Sequence, residues 1–283
     1  MKQVKLLAAL LLLAAFAHAQ APVDTSWKKG GFIGINFNQV NLSQWAPGGE
    51  NSLALASTFN LFANYAKGKN EWSNSLDLAY AVLKSGSEDL HKSDDRIELN
   101  SKYGHKLSDH WLYSGLVNFK SQFAAGYKYP DDSTVISKFM APGYLTVSAG
   151  FTYKPVDYFE VMISPATAKF TFVTDETLSD AGAYGVDSGK TVRSEFGAYL
   201  NLLFKKDIME NVTFKTKLEL FKNYSAKSDE TASKIDVNWD ASLEMKINSY
   251  LSASINTQLV YDADVIERTQ FKEVLGIGFG MKF

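Results

Sequence analysis

Residues 235–247 read IDVNWDASLEMKI, and apolar and polar side chains alternate through the whole stretch. Seven apolar residues take the odd positions and six polar residues take the even positions. Because successive side chains of a β-strand point to opposite faces of a sheet, this period of two predicts a strand with one apolar and one polar face. The stretch is also much longer than the ~5–6 residues of a typical strand in a soluble protein.

The same alternation recurs along most of the chain. Segment 159–173 is interrupted by Pro165, which predicts a bulged or bent strand, because proline cannot donate to a β-ladder. Segment 31–42 has the weakest pattern of all. Twelve strands are expected in total, over residues 31–42, 53–65, 76–82, 97–107, 111–123, 145–153, 159–173, 192–204, 212–220, 235–247, 251–261 and 270–283.

The connectors between these segments alternate in length. Short ones fall near residues 68–70, 108–110, 155–157, 207–210 and 248–249, and long ones fall near 42–50, 85–93, 125–142, 174–190, 225–233 and 262–268. Long strands joined by alternating short and long connectors are typical of a transmembrane β-barrel. The sequence therefore predicts an all-β fold, a single antiparallel transmembrane barrel of 12 strands over residues 30–283, with both termini in the periplasm.

A secreted β-sandwich or a lipocalin-like barrel is the alternative fold, since it would hide the same apolar face in a core. Strand length and the placement of aromatic residues near the predicted turns favour the membrane, where such residues form an interfacial girdle. Phe283 closes an alternating strand on its apolar face and resembles an assembly signal of outer-membrane barrels. The expected interface aromatics are Trp72, Tyr103, Trp111, Tyr113, Phe204 and Tyr250.

The first 19 residues have the pattern of a secretory signal peptide. Two lysines precede an apolar run of twelve residues, and Ala17-His18-Ala19 fits a cleavage site. Residues 20–29 are then expected to form a short periplasmic segment. Export and a barrel together predict location in the outer membrane of a Gram-negative cell, in contact with the lipid bilayer and lipopolysaccharide, after insertion by the barrel-assembly machinery.

Composition excludes several classes of function. The chain has no cysteine, so disulfide scaffolds, Cys-ligated metal centres and thiol nucleophiles are ruled out. Lys plus Arg number 29 against 31 Asp plus Glu, which gives no reason to expect nucleic-acid binding.

A resemblance to a known family rests on residues 41–52, which read NLSQWAPGGENS, and on the following stretches 59–61 and 72–77. These resemble the N-terminal signature of a Bacteroidota outer-membrane family, domain of unknown function 3078. The resemblance seen in the sequence extends over nearly all of the mature chain, although its later strands are those of any barrel. It implies an exported outer-membrane barrel and carries no catalytic residues with it.

We expect the functional residues to lie on the polar face of the strands, which a membrane barrel turns inward. Charges of both signs occupy that face, so it is either a packed core of paired charges or a charged constriction that selects solutes. The sign of a transported solute does not follow from such a mixed lining. The candidates that line the lumen are Asp77, Arg96, Glu98, Lys102, Arg193, Glu195, Lys215, Lys217, Glu219, Asp236, Asp240, Glu244, Lys246 and Lys272.

Two loops add further candidates. Trp45, Pro47, Gly48 and Gly49 lie between the first two strands, and they form either a simple turn with a packed tryptophan or a plug or docking surface. The loop 126–143 is the longest and is a candidate to cap the pore or contact a partner.

Catalysis and metal binding have little support. Ser101 and His105 share the lipid-facing side of one strand, as a hydrolase of the outer membrane would require, but no acidic residue on that face is placed to orient the histidine. The acidic pairs Asp131/Asp132, Asp175/Glu176 and Asp262/Asp264 lack the spacing of a calcium loop. We therefore expect no enzyme activity, cofactor or structural metal.

Two functions follow from this. The first is a narrow porin-like channel, or passive transport barrel, for ions or small solutes. The alternative is an occluded structural or accessory barrel of a larger outer-membrane complex, acting through its external loops. Complementary charge pairs and an inward-folded loop would favour the alternative, whereas a continuous water path would favour the channel.

Overall fold

A computed structural model describes residues 26–41, 50–226 and 234–283. Twelve long antiparallel strands close into one barrel, in the order β1-β14-β13-β12-β11-β10-β9-β8-β5-β4-β3-β2, and two short strands, β6 and β7, form a hairpin in a loop. The strands are β1 (Trp27–Val40), β2 (Ser52–Lys67), β3 (Asn70–Ser85), β4 (His91–Lys106), β5 (Trp111–Ser121), β6 (Gly126–Tyr127), β7 (Val135–Ser137), β8 (Gly143–Val156), β9 (Phe159–Phe172), β10 (Val192–Met209), β11 (Val212–Asn223), β12 (Ile235–Lys246), β13 (Leu251–Asp262) and β14 (Ile266–Lys282).

The barrel has two unlike ends. The short-turn end holds Trp27, Phe283 and the connectors 68–69, 107–110, 157–158, 210–211 and 247–250. The long-loop end holds the connectors around 86–90, 122–142, 173–191 and 263–265, together with residues 224–226 and 234 next to β11 and β12. The alternation of short and long connectors is confirmed, although several strand boundaries differ from the predicted ones by a few residues. Strand β10, for example, continues to Met209 instead of ending at residue 204.

Strand β1, which has the weakest sequence pattern, is a full member of the barrel. It begins at Trp27, three residues before the predicted boundary of residue 30, and pairs with β2 along its whole length. Phe32–Asn36 pair with Gly278–Lys282 of β14 and so close the barrel. The main chain of Phe283 donates to Gly31 O and accepts from Gly31 N, which extends this seam to the last residue.

The bulge predicted at Pro165 is present. Ser148 and Ala149 of β8 pair with Thr167 and Ala166, but Phe151 pairs with Ile163, so β9 contains one extra residue at this point. The ladder with β10 shifts at the same place. As a result, inward-facing residues of β9 have even numbers before the bulge and odd numbers after it.

The polarity of the two faces is that of a membrane barrel. Ile35, Leu275 and Phe279 on the outer surface are 51%, 65% and 69% exposed. Glu98 and Thr167 inside the barrel are only 7% and 0% exposed. Because a soluble sandwich packs its apolar faces together, an apolar exterior around a polar interior excludes that alternative and confirms the transmembrane barrel.

An aromatic belt surrounds the short-turn end. Of the residues predicted for this interface, Trp72, Tyr103, Trp111, Tyr113 and Tyr250 are exposed on the outside, and Phe204 is half-buried between Tyr158 and Phe214. Two outward lysines lie over rings in the same belt, Lys29 over Trp27 and Lys206 over Tyr158 at 4.4 Å. Aromatic and basic residues in this arrangement suit a boundary between hydrocarbon and water.

Small helical elements occur in the loop 173–191, and the sequence pattern does not predict them. Helix α1 spans Glu176–Asp180 and a 3-10 turn spans Ala183–Gly185. Within the described residues, no helix has both the length and the hydropathy needed to cross a membrane.

Candidate functional site

The lumen of the barrel is the candidate site, because it gathers charged side chains from eleven of the twelve barrel strands. All fourteen charged residues predicted to line it lie at inward-facing positions of the strand register. They are Asp77, Arg96, Glu98, Lys102, Arg193, Glu195, Lys215, Lys217, Glu219, Asp236, Asp240, Glu244, Lys246 and Lys272.

A cluster of four charges crosses the middle of the lumen, and we call it the central bridge: Glu98, Lys120, Lys217 and Glu219. Lys217 Nζ lies 2.5 Å from Glu98 Oε1 and 3.3 Å from Glu219 Oε1, and Lys120 pairs with the other oxygen of Glu219. Glu98 projects from β4 and Lys217 from β11, almost opposite each other in the barrel. The two positive and two negative charges therefore hold opposite walls together.

Neutral groups complete the hydrogen bonding of the central bridge. Asn118 Nδ2 donates to Glu98 at 3.0 Å, Tyr199 OH donates to Glu219 at 2.7 Å, and Asn238 Nδ2 donates to Glu219 at 2.8 Å. Burial of ionised side chains is tolerated only when they are paired and hydrogen-bonded in this way.

A second cluster lies nearer the long loops. Lys169 Nζ lies 2.5 Å from Asp236, 3.6 Å from Asp262 and 3.8 Å from Glu195. Arg193 bridges Glu195 at 3.0 Å and Asp264 at 2.7 Å. Carboxylates outnumber cations here, so this part of the lumen is acidic.

The short-turn end contains a third set of pairs. Glu71 accepts from Lys106 at 2.8 Å and lies 3.4 Å from Lys154. Lys102 pairs with Glu160 across the barrel, and Lys215 pairs with Glu244 on the neighbouring strand. Lysines outnumber carboxylates at this end, in contrast to the acidic cluster above.

The lumen is filled unevenly around its circumference. Inward residues of β5 and β8–β11 are packed, with Asn118, Ser148, Thr152, Met162 and Asn201 all below 4% exposed.

Much of the wall formed by β13, β14, β1 and β2 is lined by small or flat-lying groups instead. Val274 on this wall is 38% exposed although it faces inward. The Phe32 ring lies directly over Gly280, and the Asn36 amide lies over Gly278, so neither side chain projects into the lumen.

One ion pair crosses the open side of the lumen towards the long loops. Lys272 Nζ on β14 lies 3.0 Å from Asp94 Oδ1 on β4, and both side chains are partly exposed. Unlike the central bridge, this pair is in contact with solvent.

A cavity of about 330 Å³, partly open to solvent, lies between the central bridge and the long loops. Its walls include Lys120 and Glu219 of the central bridge, Tyr144, and Tyr184 of the loop 173–191. This volume is at the lower end of the range seen for small-molecule sites.

The long loops on one side fold together over this space. Ala141, Val173, Leu178 and Val186 form a small apolar core between the loops 122–142 and 173–191, and Tyr184 OH donates to Ile136 O at 2.6 Å. We call these two loops the cap. The predicted capping role of the loop 126–143 stays a prediction, although the loop takes part in this packed structure.

Asp175 fastens the cap by two interactions. Its side chain pairs with Lys138 at 2.5 Å and accepts from Leu178 N at 3.1 Å as the N-cap of α1. The hydrogen bond from Lys138, followed by that from Leu178 N, holds the pKa of the Asp175 carboxyl below its ordinary value. Burial raises the pKa of the Tyr184 hydroxyl.

The loop candidates Trp45, Pro47, Gly48 and Gly49 lie outside the described residues. Their predicted role as a plug or docking surface stays a prediction.

Ser101 and His105 do share the outer face, but each is bound by other residues. Ser101 Oγ donates to Asn74 and accepts from Trp72 Nε1 at 2.9 Å. His105 Nδ1 lies 2.8 Å from Asn70 Oδ1. Four residues along one strand separate the two side chains by about 13 Å, so the geometry is not that of a nucleophile and its base.

The acidic pairs also have structural partners. Asp131 accepts from the main chain and hydroxyl of Ser133, and these hydrogen bonds lower its pKa. Asp175 caps α1, and Asp264 pairs with Arg193. Across the described ranges, no group of three or more His, Asp or Glu side chains is arranged to hold a metal ion.

Several residues that line the lumen were not among those predicted from the sequence. Lys169 lies after the bulge of β9, where the inward parity changes, and Lys120 comes near the end of β5, next to its loop. Tyr199 has the inward parity but no charge to draw attention to it. The bulge itself was signalled by Pro165, and carrying its shift of one residue through β9 would have found Lys169.

Comparison with known families gives one match. Residues 37–127 match the model of a family described as protein of unknown function (DUF3078), which confirms the resemblance over these residues. Among curated proteins, none matches the chain.

Solved structures of similar fold include three outer-membrane proteins. An outer membrane channel from Pseudomonas putida F1 is 10% identical with a TM-score of 0.44, covering 94% of this chain and 100% of that chain. The NanC porin is 9% identical with a TM-score of 0.39, covering 88% and 98%. An outer membrane phospholipase A from Escherichia coli is 10% identical with a TM-score of 0.37, covering 93% and 94%. These likenesses are remote and bear on neither substrate nor activity.

Proposed function

We propose that the protein is a narrow channel of the outer membrane for ions or small hydrophilic solutes, with its short-turn end and both termini in the periplasm. The observation that supports this most directly is the uneven filling of the lumen. Side chains from β5 and β8–β11 form a built-in plug, whereas the wall of β13, β14, β1 and β2 stays exposed to solvent. The solute path is therefore off-centre and follows that wall.

The size of the barrel fits this proposal. A barrel of about eight strands is filled by its own side chains, whereas one of 16 strands leaves a wide aqueous channel. Twelve strands give an intermediate lumen, which a half-plug reduces to a narrow path. Phe32 and Asn36 keep that path clear because glycines beneath them let both side chains lie flat against the wall.

The second candidate function, an occluded accessory barrel, is supported by the central bridge and the cap. Four charges join opposite walls at mid-height, and the packed loops cover part of the long-loop end. Such a barrel would act through its loops on partners in a larger complex. In either case the barrel would lie in the lipopolysaccharide-containing membrane after insertion by the assembly machinery.

Conductance of the folded, detergent-purified protein in a planar bilayer distinguishes the two functions. Stable current steps, with insertion verified by protease protection in liposomes, are expected for the channel. Val274→Trp puts a large ring into the proposed path and should lower the step size by more than half. Leu275→Trp is the matched control, because the adjacent side chain faces lipid and the step size should not change.

Verified insertion without current would overturn the channel and support the accessory barrel. Equal conductance for Val274→Trp and wild type would place the solute path elsewhere and overturn the off-centre route.

A further inference from the structure

The short-turn end of the lumen has an excess of positive charge that internal pairing does not remove. Within the described residues, eight inward lysines meet four inward carboxylates at this end. The lysines are Lys28, Lys102, Lys106, Lys154, Lys205, Lys215, Lys246 and Lys282, and the carboxylates are Glu71, Glu160, Asp207 and Glu244.

Two of these lysines are placed where like charges are unfavourable. Lys205 of β10 and Lys215 of β11 are direct cross-strand partners on the inner face. Side chains in this relationship have Cβ atoms ~5 Å apart, and like charges there are destabilising. Lys282 of β14 adds a third positive charge that acts on Lys205, while the carboxylates of Glu244 and Asp207 act on Lys205 in the opposite sense.

Of the three lysines Lys205, Lys215 and Lys282, only Lys215 forms an ion pair in the described part of the chain. Lys215 pairs with Glu244. In the part of the chain that the structure describes, neither Lys205 nor Lys282 has a carboxylate within ion-pair distance. Both are exposed although they face inward, so solvent and a small ligand can reach them.

From these contacts we propose that the short-turn end of the lumen is an anion-binding vestibule, in which Lys205, Lys215 and Lys282 bind a small polyvalent anion such as a phosphate or a dicarboxylate. A concave wall with an excess of one sign of charge concentrates counter-ions more strongly than a flat surface does. An anion between the three ammonium groups relieves the repulsion that the fold otherwise leaves in place. The route by which the anion reaches the vestibule rests on the proposed channel function, whereas its binding there does not.

The acidic cluster near the long loops gives the two ends of the lumen opposite preferences for an anion. Lys169 and Arg193 are outnumbered there by Glu195, Asp236, Asp262 and Asp264. An anion is therefore favoured at the short-turn end and disfavoured at the other end of the same lumen.

Calorimetric titration of the folded, detergent-purified protein with inorganic pyrophosphate at low ionic strength tests the proposal. Saturable binding is expected, weakened about fivefold to tenfold by Lys205→Gln and by Lys282→Gln, and lost in the double variant. Lys67→Gln is the matched control, because Lys67 is an exposed lysine at the same end of the barrel whose parity on β2 places it on the outer face. Folding of each variant is verified by the heat-dependent shift of its gel mobility.

The outcomes separate this inference from the channel itself. Absence of binding in the wild type, or equal weakening by Lys67→Gln and Lys205→Gln, would overturn the vestibule whatever the conductance. Binding with the expected pattern in a protein that carries no current would retain the vestibule and overturn only the channel.

Discussion

Glu98 and Lys217 are 119 residues apart in the chain and meet across the lumen at 2.5 Å. The side chains come from β4 and β11, so their ion pair ties together two strands that are not neighbours in the barrel and share no main-chain ladder. Lys217 also contacts Glu219, which links the pair to the rest of the central bridge. The relationship therefore contributes to both stability and occlusion.

We expect Lys217→Gln to destabilise the barrel by about 3 kcal/mol, because it leaves Glu98 buried without its cation. The measurement is the urea midpoint of the shift between folded and unfolded gel bands. The same variant should increase the current step, since a transverse side chain is shortened and released.

The double variant Glu98→Gln with Lys217→Gln is the control for this prediction. Two neutral amides can bond to each other, so the double variant should recover at least half of the lost stability while keeping the larger current step. A double variant less stable than the sum of the two single variants would contradict this account of the central bridge.

The pair Lys272–Asp94 should behave differently because solvent reaches both side chains. Asp94→Asn is expected to change the free energy of unfolding by less than about 1 kcal/mol. It should nevertheless increase conductance and make it less dependent on salt, since the pair crosses the proposed path at 3.0 Å. The control is Glu267→Gln, whose partner Lys234 lies next to a long loop. An equal effect of both variants on conductance would contradict the position of the Lys272–Asp94 pair in the solute path.

The architecture could be predicted from the sequence because the exterior of a membrane barrel has only one requirement. Every second residue must be apolar, and that period survives in eleven strands well enough to count them. It was weakest in β1, where Gly30 and Gly34 lie against the rings of Phe62 and Phe32, so that a larger side chain at either position would overlap a neighbouring ring.

The interior could be predicted only in part. Parity places Glu98, Lys217 and Glu219 on the inner face but says nothing about which of them meet, since that depends on the shear of the barrel. The bulge at Pro165 reverses parity for Lys169, and the apolar core of the cap comes from loop residues that follow no period. Alternation along a strand determines which face of the sheet each side chain takes, whereas contacts across the lumen form only when the sheet closes into a barrel.

Asp175 gives the cap a defined dependence on pH. Lys138 and Leu178 N lower the pKa of this carboxyl in the folded protein. Since the folded pKa lies below the unfolded one, the stabilisation is fully present above about pH 4 and is lost as the pH falls through the lowered value. The protection of the main-chain amides of residues 173–191, measured relative to their intrinsic exchange rate at each pH, should therefore be high at pH 7 and fall only in strong acid.

Variants of Asp175 separate the cap of α1 from the ion pair. Asp175→Asn keeps an acceptor for Leu178 N and should accelerate exchange modestly, with no pH dependence of its own. Asp175→Ala removes both interactions and should accelerate exchange severalfold at pH 7. Glu176→Ala, which leaves the Asp175 side chain in place, is the control. Identical exchange in Asp175→Ala and wild type would show that the apolar core alone holds the cap.

Gly280 and Gly278 test how the β1–β14 wall is kept flat. A methyl group at Gly280 would overlap the Phe32 ring, which can move by lifting into the lumen. We therefore expect Gly280→Ala to fold normally and to conduct less than wild type. Phe32→Ala in the same chain should restore the current, because the ring is what obstructs the path.

A methyl group at Gly278 would instead overlap the main-chain oxygen of Ile35, which cannot move without opening the seam. Gly278→Ala should therefore reduce the yield of folded, heat-modifiable protein, and adding Asn36→Ala to this variant should not restore that yield. Gly115→Ala on the outer face of β5 is the control, since its nearest neighbour, Ser148 O, lies 3.9 Å from the added group. If Gly280→Ala and Gly278→Ala gave the same folding yield and the same current, the two glycines would share one role, and the flat wall would not explain the open side of the lumen.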